Sequence, residues 1–345
     1  MSTRLDEWLR SQLVCPRDQG ALVDDGAVLR CANGHAYPIV EGVPVMLIDD
    51  ARQTFPAARA SIERAATGRA DARASALYLE SVEISDEEKN GIVELAARRP
   101  VIDPVVSYLI AATNGLMYRH LIGRLEAYPI PHINLPDGQG RALLDVGCSW
   151  GRWSVAAAQR GYLAIGIDPS LGAVMAARRV TSQLHVDAAF VVGDARYLPF
   201  RQGSFDAVFS YSVIQHFSRV DAERSIAEMG RVLRQGGLAR VQMPTRYGLR
   251  CLYHQARRRF RDGVGFEVRY WRLGDLHRLF SNRIGPTELE VDCYFGIGLQ
   301  QTDASVMTGT RRVVLTASRW LTAASARLPW LTRLADSVYV QATKA

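Results

Sequence analysis

Lysine is almost missing from this chain. Lys89 and Lys344 are the only two among 42 basic side chains, so nearly every positive charge is a guanidinium. Planar guanidinium groups suit planar anions, and a GC-rich coding bias yields the same composition. No run of about 18 apolar residues occurs, so no segment is expected to span a bilayer. Met1 is followed by "STRLDEWLRSQL", which lacks the apolar stretch of a signal peptide. Five scattered cysteines offer no disulfide framework, and a reducing, cytoplasmic setting is expected. Internal repeats and low-complexity tracts are absent. An apolar fraction of 48% excludes wholesale disorder.

Positive charge is unevenly spread. Residues 1–50 carry 4 basic and 8 acidic side chains, whereas 246–345 carry 16 and 8, so the chain runs from acidic to basic. Its length suggests two or three structural units. Residues 1–50 read as short strands broken by turns, a small β module. Residues 51–140 read as a helical cap and linker. There, "SDEEKNGIVELAARR" opens on a capping-box pattern, Ser85 with Glu88 three residues on. Helical spacing resumes in "PVVSYLIAATNGLMYRHLIGRLEAY", with an interruption near Asn114-Gly115, before a Pro/Gly-rich connector at 129–140.

From Arg141 onward the pattern alternates between strands and helices, which predicts an α/β fold with a doubly wound parallel sheet over 141–345. Ligands of such sheets sit beyond the carboxyl ends of the strands. The first strand ends in "LLDVGCSWG" (Asp145, Gly147, Gly151) and the second in "GIDPS" (Asp168, 21 residues after Gly147). The third ends at Asp194-Ala195, the fourth in "FSYSVIQHF". Small residues after strand one let a ligand approach the backbone, a carboxylate ending strand two can accept both hydroxyls of a ribose, and one ending strand three can accept from an adenine amino group. Ser149 and Trp150 break the GxGxxG pattern, which favours a nucleoside without a pyrophosphate.

These four motifs, in order over about 141–245, resemble the class I S-adenosylmethionine-dependent methyltransferases of the Rossmann-like fold. The resemblance implies S-adenosylmethionine as cofactor, with Asp145, Gly147, Gly151, Asp168, Asp194, Ala195, Ser210 and Tyr211 around it. Similar enzymes place Tyr and Arg from an N-terminal helix over the cofactor carboxylate, here Tyr118 and Arg119. A histidine is the default base for an alcohol acceptor at neutral pH, and His216 stands just past strand four. Gln215, His254 and Tyr270 are candidates for substrate contact. The last two fall in a basic insert at about 246–285, where Arg257, Arg258, Arg259 and Arg261 cluster.

"TELEVDCYFGIG" and "DSVYVQATK" read as closing antiparallel strands. The helical insert between them, about 303–335, carries five arginines between Thr310 and Ala335, no acid there, and two tryptophans, a pattern suited to peripheral membrane contact. At the head of the chain, Cys15-x2-Asp18 and Cys31-x3-His35 offer a donor set for structural zinc. With "YPIVEGVPVML", this stretch resembles the zinc-ribbon proteins that partner methyltransferases, in which a cysteine stands where Asp18 is here.

The function expected is O-methylation of a sugar, glycan precursor or other small secondary metabolite. The alternatives are an RNA base methyltransferase, with ribbon and arginines as a nucleic-acid platform, and a non-catalytic cofactor-binding activator of a partner. The acidic ribbon and the absence of an Asn/Asp-Pro-Pro-Tyr segment weigh against the RNA alternative, and the full set of ligand acids against the activator. No feature of the sequence speaks to an oligomeric state.

Overall fold

The computed structural model describes residues 3–52, 55–67, 75–113, 119–296 and 309–345. Two compact units make it up, Met1–Arg201 and Gln202–Ala345. The division falls inside the expected methyltransferase domain, because the ribbon and the cap pack onto the first three strands of that domain.

The first unit opens with α1 (Thr3–Gln12), where short strands were expected. Leu5, Leu9 and Leu13 recur every four residues and are all buried, a helical face that the strand reading overlooked. Strands β1 (Leu22–Asp24), β2 (Val28–Cys31), β3 (Ala36–Val40) and β4 (Val43–Pro44) then form an antiparallel sheet in chain order. The cap comprises α2 (Pro56–Thr67), two short 3₁₀ turns over 75–81, α3 (Asp86–Ala97) and α4 (Pro104–Thr113). The expected capping box starts α3: the Glu88 amide donates to Ser85 Oγ at 3.2 Å, and the Ser85 amide to Glu88 Oε2 at 3.0 Å.

The rest of this unit is β5 (Ala142–Val146), α5 (Arg152–Gln159), β6 (Leu163–Asp168), α6 (Leu171–Leu184) and β7 (Ala188–Val192). The three strands are parallel, in the order β5-β6-β7. Every residue of β5 and β7 is buried, as expected where helices cover both faces of a sheet. The ribbon adds to β7: Val45 bridges Val192 in parallel, and the Met46 amide donates to the Val192 carbonyl at 2.7 Å.

Three serines lock the cap to the start of α6. Ser61 Oγ donates to the Pro169 carbonyl and accepts the Leu171 amide, Ser81 Oγ accepts the Gly172 amide, and Ser170 Oγ donates to the Ser81 carbonyl, all at 2.7–2.9 Å. These bonds satisfy N-terminal amides of α6 that would otherwise lack intrahelical partners.

The second unit contains β8 (Phe205–Ser210), α7 (Arg219–Val232), β9 (Leu233–Pro244), α8 (Leu249–Arg257), α9 (Leu273–Arg283), β10 (Thr287–Cys293), α10 (Gly309–Ser325) and β11 (Ser337–Thr343). Its strand order is β10-β11-β9-β8, with β8 and β9 parallel and β11 antiparallel to both neighbours, matching the closing strands expected. The register between β10 and β11 shifts between Val291 and Cys293, which makes Asp292 the residue of a β-bulge. The helical insert breaks at Pro329, which starts a 3₁₀ turn over Pro329–Leu334. No helix among the described residues is long and apolar enough to cross a membrane.

Candidate functional site

In the first unit, the loops after β5, β6 and β7 are all tied to Asp168. Its Oδ2 accepts the Ser149 amide and its Oδ1 the Ser170 amide, both at 2.9 Å, while its carbonyl accepts the Gly193 amide at 3.0 Å. The neighbouring Ile167 carbonyl receives the Gly147 and Cys148 amides at 2.8 and 3.0 Å. Each carboxylate oxygen retains acceptor capacity, and the side chain is only half-buried. A pair of vicinal hydroxyls can therefore donate to it. Burial pushes this carboxyl up to about 6, against the two amides, which pull it down.

The loop around it needs left-handed backbone at Gly147, Ser149 and Gly151 (φ 77°, 47° and 81°). A Cβ on Gly151 would lie 3.0 Å from the Ala177 Cβ and 3.2 Å from the Phe190 ring, so a glycine is required both by conformation and by space. Ser149 accepts the same conformation at a cost of about 1 kcal/mol.

Two of the expected cofactor acids are otherwise engaged. Asp145 is 1% exposed and accepts Ser154 Oγ at 2.7 Å, which fastens β5 to α5. Burial pushes its carboxyl up to about 7, and the nearby Asp168 adds to the rise. Asp194 faces Arg196: its Oδ1 accepts the Arg196 amide at 2.8 Å and Nε at 3.1 Å, and its Oδ2 accepts Nη2 at 2.6 Å. That guanidinium also donates to the Arg52 carbonyl at 2.9 Å. Both oxygens of Asp194 thus hold Arg196, where the sequence suggested an adenine amino group; Ala195 is buried between them. Arg119 is exposed and lies 3.7 Å from Glu88 of α3. Tyr118 lies outside the described residues.

The second unit assigns His216 a different task from the expected base. Nδ1 lies 2.6 Å from the Phe266 carbonyl, Nε2 lies 3.2 Å from Gln215 Nε2, and the ring stacks on Phe266 at 3.9 Å. With a proton on Nδ1, both nitrogens are used by the protein. Burial lowers the imidazole to about 4, below the range of an effective neutral-pH base. Around it, the Gln215 carbonyl accepts the Arg269 amide at 2.8 Å, and Arg269 Nη1 donates to the His216 carbonyl at 2.6 Å. His216 and Gln215 therefore anchor the 265–269 segment.

Within the basic insert, Arg258 and Arg261 converge on Glu267, Arg258 also lies over the Tyr270 ring at 5.3 Å, and Arg257 over Tyr253 at 5.8 Å. Tyr270 is raised to about 12 by burial. His254 is half-buried, 3.4 Å from Arg250 Nε, and lowered by burial and by the arginines around it.

A carboxylate that sequence reasoning passed over lies at the β10 bulge. Asp292 Oδ2 accepts Ser337 Oγ at 2.6 Å, Tyr211 Oη at 3.4 Å and Gln242 Nε2 at 3.5 Å. All three donors meet one oxygen, and no donor is seen at Oδ1 among the described residues. Burial raises this carboxyl. Tyr211 follows buried Ser210, the last residue of β8, and packs against Tyr339 with ring centroids 6.1 Å apart. Bulges re-aim side chains in this manner near functional sites. Strand pattern alone could not reveal it, because Asp292 sits in a stretch that alternates acidic and apolar residues like any solvated edge.

In the ribbon, Cys15, Asp18, Cys31 and His35 bring one donor atom each within 4.8 Å of one another. His35 Nδ1 lies 3.4 Å from Cys15 Sγ, 3.3 Å from Cys31 Sγ and 3.2 Å from Asp18 Oδ2; Cys31 Sγ to Asp18 Oδ2 is 3.6 Å. A tetrahedral zinc ion with ordinary bond lengths sets S···N edges of roughly 3.5 Å and N···O edges of about 3.3 Å. The donor set fits. Asn33 Nδ2 orients Asp18 at 2.7 Å, and Tyr37 Oη lies 3.2 Å from Cys15 Sγ, the outer contacts that steady metal ligands.

Residues 143–237 match the family model described as a methyltransferase domain. The biotin biosynthesis bifunctional protein BioHC of Cellvibrio japonicus is 41% identical over 100 residues, 29% of this chain and 19% of that protein. An uncharacterized methyltransferase of Synechocystis is 29% identical over 131 residues, 38% of this chain and 60% of that protein. The chain thus spans less than two thirds of the length of either relative. Among solved structures, the complex between the Haloferax volcanii Trm112 methyltransferase activator and a methyltransferase aligns with 76% of this chain and 99% of that one, at 17% identity and a TM-score of 0.44. The chain carries a class I S-adenosylmethionine-dependent methyltransferase domain with the Rossmann-like α/β fold.

Proposed function

We propose that this protein methylates a hydroxyl group of a sugar, glycan precursor or other small secondary metabolite. The observation that carries the transferase reading is the convergence of three strand-end loops on Asp168, whose two oxygens suit a ribose. Gly147 would let the cofactor lie against the backbone, while Gly151 leaves room for Ala177 and Phe190. Bound S-adenosylmethionine supplies a methyl group on a sulfonium, an electrophile that needs no further activation.

The chain's own task is to orient the acceptor, exclude water and take up a proton. Alignment of this kind is worth on the order of 7–11 kcal/mol in favourable cases. Asp292 fits the proton-accepting role better than His216: its Oδ2 is fixed by Ser337, Tyr211 and Gln242, and Oδ1 is the oxygen turned away from them. Oδ1 would take the proton of the acceptor hydroxyl as its oxygen bonds the methyl carbon and the carbon–sulfur bond of the sulfonium breaks, which would leave S-adenosylhomocysteine as a neutral thioether. Tyr211 holds the carboxylate in place and lies where the fourth strand ends, the position that similar enzymes give to acceptor contacts. Structural zinc held by Cys15, Asp18, Cys31 and His35 would brace the ribbon and take no part in the chemistry.

Calorimetry with S-adenosylhomocysteine tests the cofactor half. Binding should be lost or weakened at least about tenfold in Asp168→Ala, since a hydrogen-bonded charge contributes roughly 1.5–3 kcal/mol. Equal affinity in the variant would sink the assignment.

A further inference from the structure

Among the described residues of the second unit, α10 is a long element with an apolar outer face. Leu315 and Ser318 point inward, and Ser318 Oγ accepts the Tyr294 amide at 2.9 Å, which pins the helix just beyond the end of β10. On the opposite face Val313 and Trp320 are 69% and 74% exposed. They stand seven residues apart and so share one stripe. Arg312 and Arg319, also seven apart and exposed, form the stripe beside it. The 3₁₀ turn continues the pattern with exposed Leu328, Trp330 and Leu334, flanked by exposed Arg327 and Arg333. No acidic residue occurs from Gly309 to Ala335.

A helix that merely covers a sheet turns its apolar side inward and its charges outward. Here the outermost positions are a valine and two tryptophans, with guanidinium groups along their flank. Tryptophan and arginine together suit the boundary between lipid headgroups and acyl chains, and an exclusively positive rim selects for anionic lipid. The location matters as well. Cys293 at the end of β10 pairs with Ser337, which pairs with Pro244 at the end of β9, so the segment bearing α10 leaves and re-enters the sheet at the end where Asp292 lies.

We propose that α10 and the turn after it dock this protein on an anionic membrane surface, with Val313, Trp320 and Trp330 entering the headgroup layer and Arg319, Arg327 and Arg333 meeting lipid phosphates. The docking surface is independent of the acceptor assignment, and S-adenosylhomocysteine binding reports separately on the cofactor site.

Flotation of the full chain with phosphatidylcholine vesicles, with and without phosphatidylglycerol, tests it. The protein should float with the phosphatidylglycerol vesicles, stay behind with phosphatidylcholine alone, and be released by high salt. The double variants V313S/W320S and R319Q/R327Q should each lower partitioning, the second by roughly thirtyfold, with thermal melts and S-adenosylhomocysteine isotherms unchanged. Failure of the parent chain to float with anionic vesicles would overturn the proposal, as would unaltered partitioning in both variants. A shift of V313S/W320S from dimer to monomer in lipid-free sedimentation would also overturn it, and would assign the face to a second copy of the chain.

Discussion

The Ser149 amide donates to the Asp168 carboxylate at 2.9 Å across the carboxyl ends of β5 and β6. This bond sets the loop that a cofactor must touch and the acid that must hold it in one geometry. Ser149 reaches it in a left-handed conformation that glycine adopts freely. Ser149→Gly should therefore relieve about 1 kcal/mol of strain, partly offset by the added freedom of the unfolded chain, and raise the melting temperature slightly. Ser149→Val should do the reverse and weaken S-adenosylhomocysteine binding. Differential scanning calorimetry and titration calorimetry read both.

Cofactor affinity should depend on pH through Asp168. Its carboxyl is raised to about 6, and ribose hydroxyls donate to the ionised form. Binding then releases a proton below about pH 6, so affinity rises with pH to a plateau near pH 7. Stability has the opposite sign: a carboxyl raised on folding favours the folded state most at low pH, and that contribution is lost as pH climbs from the ordinary range through 6. Asp168→Asn should flatten the affinity profile. A profile in the variant that still rises through pH 6 would refute the assignment.

Turnover separates Asp292 from His216. Asp292→Asn should lower kcat by about 10²–10⁴ and remove the acidic limb of the pH–rate profile, because activity needs the ionised carboxylate. Tyr211→Phe should lower kcat less and leave the limb in place. His216→Gln, which loses the bond to the Phe266 carbonyl and the ring stack, should mainly lower the melting temperature. A His216 variant that is fully folded yet inactive would restore the histidine as base.

Metal analysis decides the ribbon. One zinc per chain is expected by inductively coupled plasma mass spectrometry, falling to well below one in Cys31→Ser and His35→Ala. Asp18→Cys should bind the ion more tightly, since thiolate is the better zinc ligand. A metal-free parent protein with the same melting temperature as Cys31→Ser would show that the hydrogen bonds of the cluster suffice.

What the sequence disclosed depended on whether a signal is local. Strand alternation, the Ser85–Glu88 capping box and the carboxylates at strand ends are set within a few residues, and each appears where expected. Three features needed the folded chain. The helix at Thr3–Gln12 was hidden behind the short strands that follow it. The grip of Arg196 on Asp194 depends on side-chain direction, which a strand-end position does not fix. Asp292 acquires its partners from the residue just past β8, from β9 and from β11, which lie 81, 50 and 45 residues away in the chain.

The Val45–Val192 bridge has a bearing on solubility. In the first unit β7 is the outermost of three parallel strands, and an outermost strand offers unpaired amides and carbonyls to any extended chain that meets it. The 43–46 segment closes a hairpin with β3 and also occupies β7 at Val192, where the Met46 amide takes the carbonyl. Removing residues 1–50 would uncover an apolar strand, Ala188–Val192, with a free border. Such a truncation should self-associate through that border even if its cofactor loops remain intact, which gives the ribbon a role as a guard against intermolecular sheet growth.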